Sequence, residues 1–224
     1  AKTKPVKKII SLGFDYEAGK NTLKAFKEKY SELVPDAKII DELWAPLGTT
    51  DFTAYISKIA NSGADAFFLA SIAGGGELAF TRQAYAVGLY DKMFAIQACL
   101  GDVETWVSVK KGEPYAKGAL TTARYPFWAI KDPRNEAFVK KYKEKTNGLI
   151  PSYGSINEYI IIYALKDAIE KTGGLETEKI INYFEKTTLD TVFGKIPIRA
   201  YDHQAMMPNW YGIVGFEQGQ TFPH

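Results

Sequence analysis

The chain has 224 residues, of which 46% are hydrophobic and 24% charged. That balance suits a globular protein that buries roughly 70% of its unfolded surface without disulfide or metal staples, and it excludes disordered, collagen-like and coiled-coil chains. The net charge is only +2, from 28 basic and 26 acidic residues, with lysines interleaved among acids, which excludes a phosphate-tracking basic stripe and with it a nucleic-acid partner.

In chain order, residues 6–14 (VKKIISLGF) form an apolar run closed by Gly13. Residues 17–34 read as a helix, with Leu23, Phe26, Tyr30 and Leu33 spaced by three and four along one face. Residues 37–44 (AKIIDELW) are a second strand, stopped by Pro46 and Gly48. Thr49, Thr50 and Asp51 offer N-caps for a helix carrying Tyr55, Ile56 and Ile59 and ending at Gly63. Residues 64–72 are a third strand. Gly74, Gly75 and Gly76 open a helix through Gln83 that ends at Gly88, and residues 93–100 (MFAIQACL) are a fourth strand. Strands alternating with helices of this length predict successive βαβ units and a parallel, doubly wound α/β sheet. The strands are nearly continuous apolar runs, as helices on both faces require.

The pattern then changes. Residues 118–127 read as extended, and residues 132–188 as almost wholly helical. Pro133 suits a first helical turn, with Phe138, Val139 and Tyr142 on one face. Ser155 to Glu158 reads as a capping box for a helix running to Lys171 and stopped by Gly173 and Gly174. Ile180, Ile181 and Phe184 mark a third helix. Residues 192–199 and 210–216 alternate and read as the two strands of a hairpin-like pair. The helix over residues 156–168 is apolar on most of its circumference, which predicts burial on nearly all sides. Few local strands are available to cover it, so it needs either a second sheet or further chain. The longest apolar run, residues 159–165, is far short of the ~20 residues of a membrane span. Residues 1–5 are polar with no apolar segment behind them, so no leader is expected there.

The segment APLGTTDFTAYISKIANSGADAFFL (residues 45–69) resembles the second-lobe region of type I periplasmic solute-binding proteins, of which the Leu/Ile/Val-binding proteins of ABC transporters are members. RQAYAVGL (residues 82–89) is similar to the ending of their third helix, and the Asp202-His203-Gln204 stretch to their C-terminal strand region. The resemblance implies two doubly wound lobes joined by three crossovers, with a small-molecule solute held between them and a hinge closure read by a membrane ABC permease. It divides the chain into residues 1–118 of lobe two, residues 119–190 as a helical return to an incomplete lobe one, and residues 191–224 back in lobe two. The opening part of lobe one has no counterpart, so the chain is expected to be a fragment of a periplasmic or extracellular protein, anchored or free, that is a monomer when complete. No cofactor and no metal is expected.

Ligands of doubly wound sheets sit beyond the carboxyl ends of the strands. That rule selects Phe14, Asp15 and Tyr16 after the first strand. Asp15 either pairs with a cationic group or caps the next helix. The family often has a ligand-contacting tyrosine just before the glycine at Gly19; Ala18 stands there, and Tyr16 is the nearest substitute. After the third strand come Ser71 and Ile72, followed by a glycine turn whose amides suit a carboxylate or merely give a flexible turn. After the fourth come Gln97 and Cys99. Amino-acid-binding members are expected to carry an acid near here for the ligand ammonium, and its absence shifts the expected solute from a zwitterion toward an organic acid or amide unless Asp15 or Asp102 takes over. Cys99 also reads as a small buried apolar residue. The resemblance places an aromatic lobe-one contact near Tyr153, which otherwise reads as a staple on its own helix. Two histidines, His203 and His224, and one cysteine leave little for catalysis. A ligand-sensing domain and a small doubly wound enzyme are the rival classes; the enzyme lacks a base cluster at the strand ends.

Overall fold

A computed structural model describes residues 6–98, 102–216 and 221–223. Contacts divide the chain into two compact units, Ala1–Ala123 with Tyr211–His224, and Arg124–Trp210. The chain thus passes between units at 123/124 and 210/211, where divisions after 118 and 190 were expected. Residues 120–123 stay with the first unit because they pair with its sheet, and residues 191–210 stay with the second because their hairpin belongs there.

In the first unit β1 (Lys8–Phe14), α1 (Glu17–Leu33), β2 (Lys38–Ala45), α2 (Thr53–Ala60), β3 (Ala66–Ala70), α3 (Gly75–Ala86), α4 (Leu89–Lys92), β4 (Phe94–Gln97), α5 (Val103–Trp106) and β5 (Leu120–Ala123) follow in order. Strands β1 to β5 are parallel where they pair, and with β8 (Trp210–Ile213) they form a six-stranded sheet in the order β2-β1-β3-β4-β5-β8. This is the doubly wound sheet that the sequence predicts.

The alternation of side chains along the strands explains why β1 and β3 are apolar throughout. Ile10, Leu12, Phe67 and Leu69 point to the face covered by α2 and α3, where they meet Phe52, Ile56, Ile59 and Phe80. Ile9, Ala66 and Phe68 point to the other face, against Leu23, Phe26 and Tyr30 of α1. The Phe26 and Phe68 rings stack at 4.1 Å. Leu33 lies beyond this contact and is exposed.

Two glycines let the strand ends pack tightly. A Cβ on Gly76 would lie 2.7 Å from Phe14 Cζ, and one on Gly19 would collide with the Phe14 carbonyl oxygen. Helix α2 starts later than expected. Its N-cap is Phe52, and Asp51 accepts the Thr53 N–H from one residue outside.

The second unit holds α6 (Pro133–Lys145), α7 (Tyr153–Thr172), α8 (Thr177–Lys186), β6 (Thr188–Thr191) and β7 (Gly194–Pro197). Tyr125, Ile156 and Val192 form its small core, with Phe127, Phe138, Tyr153, Ile160 and Phe193 around them. The buried Asn135 accepts the Tyr125 hydroxyl at 2.6 Å and donates to the Phe127 and Ile130 carbonyls. Three expectations are corrected here. The capping box of α7 uses Ser152 as N-cap and Ser155 as N3, so the helix opens one turn early. β7 pairs antiparallel with β6, while residues 210–213 join the large sheet rather than a hairpin with residues 192–199. Finally, only Ile156 and Ala168 of α7 are buried, and Ile161, Ile162, Tyr163 and Leu165 are 54%, 61%, 57% and 40% exposed. The two-stranded β6–β7 sheet is too small to cover a helix of 20 residues that is apolar on most sides.

Candidate functional site

The carboxyl ends of β1 and β3 come together in the first unit. Phe14 is buried against Phe52 and the start of α3, and Ile72 is likewise in the core. The side chains left at the rim are those of Asp15, Tyr16 and Ser71. The hydroxyls of Tyr16 and Ser71 lie 2.9 Å apart. Ser71 has φ 60°, a left-handed backbone uncommon for a residue with a side chain. Such conformations cost on the order of 1–3 kcal/mol and persist where the surroundings impose them. Here Tyr16 and the turn into Gly74, the N-cap of α3, impose it. Asp15 does not cap α1, whose N-cap is Tyr16; its carboxylate pairs with Lys20 at 2.6 Å. That pair is exposed and worth little to stability.

Behind this rim, at the end of β4, the expected Gln97 belongs to a buried polar cluster whose other members, Tyr90, Thr81 and Glu77, the sequence reading missed. Gln97 is 1% exposed; its Oε1 accepts the Tyr90 hydroxyl at 3.3 Å, while its Nε2 is buried with no hydrogen-bond partner among the described residues. The Tyr90 hydroxyl also reaches Thr81 Oγ1 at 3.2 Å. Glu77, in the first turn of α3, is buried in the same cluster. Burial pushes its carboxyl well above the usual range; a hydrogen bond with Thr105 opposes the shift and the charge of Asp102 adds to it. Burial also raises the Tyr90 hydroxyl. Burial thus favours the neutral form of Glu77 over its carboxylate. An acid in a first turn ordinarily reads as an exposed partner of the helix dipole, so no sequence signal marked its burial. Cys99 lies outside the described residues.

In the second unit Tyr153 is the first residue of α7 and is half-buried. The Arg124 guanidinium lies over its ring, 4.1 Å from the centroid. Arg124 immediately follows β5, so the strand-end rule applied to residues 118–127 would have found it had the strand end been placed at residue 123. His203 sits in the turn after β7 of the second unit with φ 56° and pairs with Glu185 at 2.8 Å. Among the described residues no group of three or more His, Cys, Asp or Glu side chains is placed to hold a metal ion, and no helix is long and apolar enough to cross a membrane.

A doubly wound parallel sheet whose strand ends carry hydroxyls, an amide and half-buried aromatics is a scaffold for binding small molecules. Residues 1–219 match the family model of the periplasmic binding proteins, and the chain belongs to that family. The resemblance read from residues 45–69 is borne out. A Leu/Ile/Val-binding protein homolog 6 of Brucella melitensis biotype 1 is 29% identical over 172 residues, which are 76% of this chain and 43% of that protein. The solved solute binding protein of an ABC transporter from Rhodopseudomonas palustris HaA2, in complex with p-hydroxybenzoic acid, matches with a TM-score of 0.82 at 22% identity, over 97% of this chain and 58% of that one. An amino acid ABC transporter substrate-binding protein from Pseudomonas fluorescens Pf-5 matches with a TM-score of 0.78 at 20% identity, over 93% of this chain and 54% of that one. The chain therefore spans about half the length of these relatives, and the solved structures share its fold.

Proposed function

We propose that this chain is the ligand-binding part of an extracytoplasmic solute-binding protein of an ABC importer, and that its work is binding rather than catalysis. The solute is a small organic acid, its amide or an amino-acid-like molecule, and the membrane permease is the receiving partner. The observation that carries this reading is the Tyr16–Ser71 hydroxyl pair at the carboxyl ends of β1 and β3. It sits where doubly wound sheets take ligands, and the Ser71 backbone there is left-handed and strained. Asp15, Tyr16 and Ser71 are the solute-facing members of the site in the first unit, and Tyr153 is proposed separately as a solute contact of the second. Phe14, Ile72 and Gln97 hold the first three from behind. The names of the relatives support the class of solute, since one holds p-hydroxybenzoic acid and another is an amino acid transporter component. The exposed apolar side of α7 is the surface on which the remaining length of the family's fold packs; the 43–58% coverage of the relatives and the exposure of Ile161, Ile162 and Tyr163 support this.

The test is a thermal-shift panel of amino acids, aromatic acids and amides on the full-length gene product. A ligand at 100 times its dissociation constant adds about 2.7 kcal/mol of stability, a readily visible shift. No response from any member of the panel would sink the proposal.

A further inference from the structure

Glu77 is a buried acid that the solute-facing rim does not itself contain. It lies in the first turn of α3 and is 3% exposed. The neighbouring Gly76 packs so closely that a Cβ there would lie 2.7 Å from Phe14 Cζ, and Phe14 ends the strand whose loop carries Tyr16. Just ahead of the helix, the Ser71 hydroxyl meets that of Tyr16 at 2.9 Å. Gly74, the N-cap, and Gly75 beside it are exposed, and nothing lies within 4 Å of where their Cβ atoms would be. The chain from Ser71 to Glu77 is thus one short piece with a free middle. A rim hydroxyl bond fixes one end; Gly76 against Phe14 and the buried Glu77 side chain fix the other.

The surroundings of the carboxyl bear on its charge. Thr105 and Asp102 face it from the segment that opens α5, and Tyr90 faces it from α4, with the Tyr90 hydroxyl against Thr81 and Gln97. Among the described residues the charged side chain acting on it is another acid, Asp102. A carboxylate here loses its hydration and meets repulsion where a partner is needed. The positive end of α3 pulls the other way, but a helix start does not replace the hydration of a buried ion. A proton removes both penalties and gives the acid an O–H to donate.

We propose that Glu77 is a positioning residue of the solute site: as the neutral acid it keeps the first turn of α3 in place, and with it Ser71 opposite Tyr16, so that solute is bound tightly with the proton on and weakly with it off. This rests on the solute-binding reading above and adds a regulation to it. Once ionised, the carboxylate regains water only if the first turn moves outward, and the exposed glycines are where the chain gives. Protonation and solute binding then favour each other, and binding takes up protons.

The experiment is isothermal titration of the full-length gene product and its Glu77→Gln variant from about pH 5.5 to about pH 8. The probes are p-hydroxybenzoate and leucine, neither of which changes charge over that range, and then the rest of the panel. The parent's affinity should fall by at least about tenfold across the range, because the competent fraction falls about tenfold for each pH unit above the titration of Glu77. Glu77→Gln keeps a neutral hydrogen-bonding group of similar size. Its affinity should be independent of pH and exceed the parent's at the upper end. Repeating the parent titration at about pH 7 in two buffers of different ionisation enthalpy reads proton uptake without relying on the variant, and net uptake is expected. A parent affinity that is flat with pH, binding without proton uptake, a Glu77→Gln affinity that falls in parallel with the parent's, or a folded Glu77→Gln that no longer binds would each overturn the inference and leave the solute-binding reading intact. A parent that binds no member of the panel overturns both.

Discussion

The Tyr16 and Ser71 hydroxyls meet at 2.9 Å and tie the loop after β1 to the loop after β3. Ser71 sits at φ 60°, so its backbone favours glycine while its side chain is needed for the bond. Substituting alanine keeps the strain and loses the bond; substituting glycine loses the bond and relieves the strain. Ser71→Gly should therefore be more stable than Ser71→Ala by about 1 kcal/mol, the reverse of the usual order. Urea denaturation of the two variants measures this, and a more stable alanine variant would contradict it.

Gly76 matters for a different reason. A Cβ there would lie 2.7 Å from Phe14 Cζ, so Gly76→Ala must displace a buried ring. The expected cost is about 1–3 kcal/mol, as for other overpacked sites. Combining it with Phe14→Leu should recover part of the loss, because the shorter side chain no longer reaches the new methyl. A double-mutant cycle with additive costs would contradict the contact.

Glu77 predicts a pH dependence. Its folded-state pKa is raised above its ordinary value of 4.5, chiefly by burial, so the folded protein holds a proton that the unfolded chain releases. The stability associated with the neutral acid is complete below the ordinary value and is lost as pH rises through the folded-state value. Glu77→Gln removes this loss. The variant should thus gain on the parent in thermal midpoint steadily from about pH 4.5 upward. Parallel pH profiles for the two proteins would contradict a buried neutral acid.

Arg134 ties three pieces of the second unit together. It binds the Asp132 carboxylate at 2.7 Å, Asp190 at 2.9 Å and the Thr191 carbonyl at 2.7 Å, which anchors the start of α6 to β6. The ion pairs are half-exposed and individually worth little. A lysine cannot span all three acceptors, so Arg134→Lys should cost about 1 kcal/mol despite the kept charge. Chemical denaturation followed by tyrosine fluorescence would read it.

The exposed side of α7 gives a prediction that separates a helix meant for solvent from one meant for burial. Ile162→Lys would be harmless on a surface helix. If further chain covers Ile162 in the full-length gene product, the same change should lower its stability by about 1.5–3 kcal/mol, the transfer cost of one aliphatic side chain. An unchanged melting temperature would argue against a covered face.

Periodic local patterns were the part of this molecule most legible in its sequence. The spacing of Leu23, Phe26 and Tyr30 predicts the α1 face that packs on Phe68, and the apolar runs of β1 and β3 predict helices on both faces of the sheet. Choices made at long range were not legible. Residues 192–199 and 210–216 alternate alike, but the former pair with the adjacent residues 188–191 and the latter join a sheet whose other strands lie far earlier in the chain. At the site, strand-end position selected Asp15, Tyr16 and Ser71, which reach the rim, and equally Phe14, Ile72 and Gln97, which turn inward. Strand-end position does not fix which side chain faces out. Arg124 was hidden because the extended run continues past the last hydrogen-bonded residue of β5.

The central claim is that this chain binds a small solute at the carboxyl ends of its sheet. Isothermal titration of the full-length gene product with the tightest ligand of the panel, repeated on a Tyr16→Phe and Ser71→Gly double variant, tests it most directly. The account predicts saturable binding in the parent and at least about a tenfold loss in the variant, with an unaltered circular dichroism spectrum. Saturable binding of equal affinity in both proteins would contradict it.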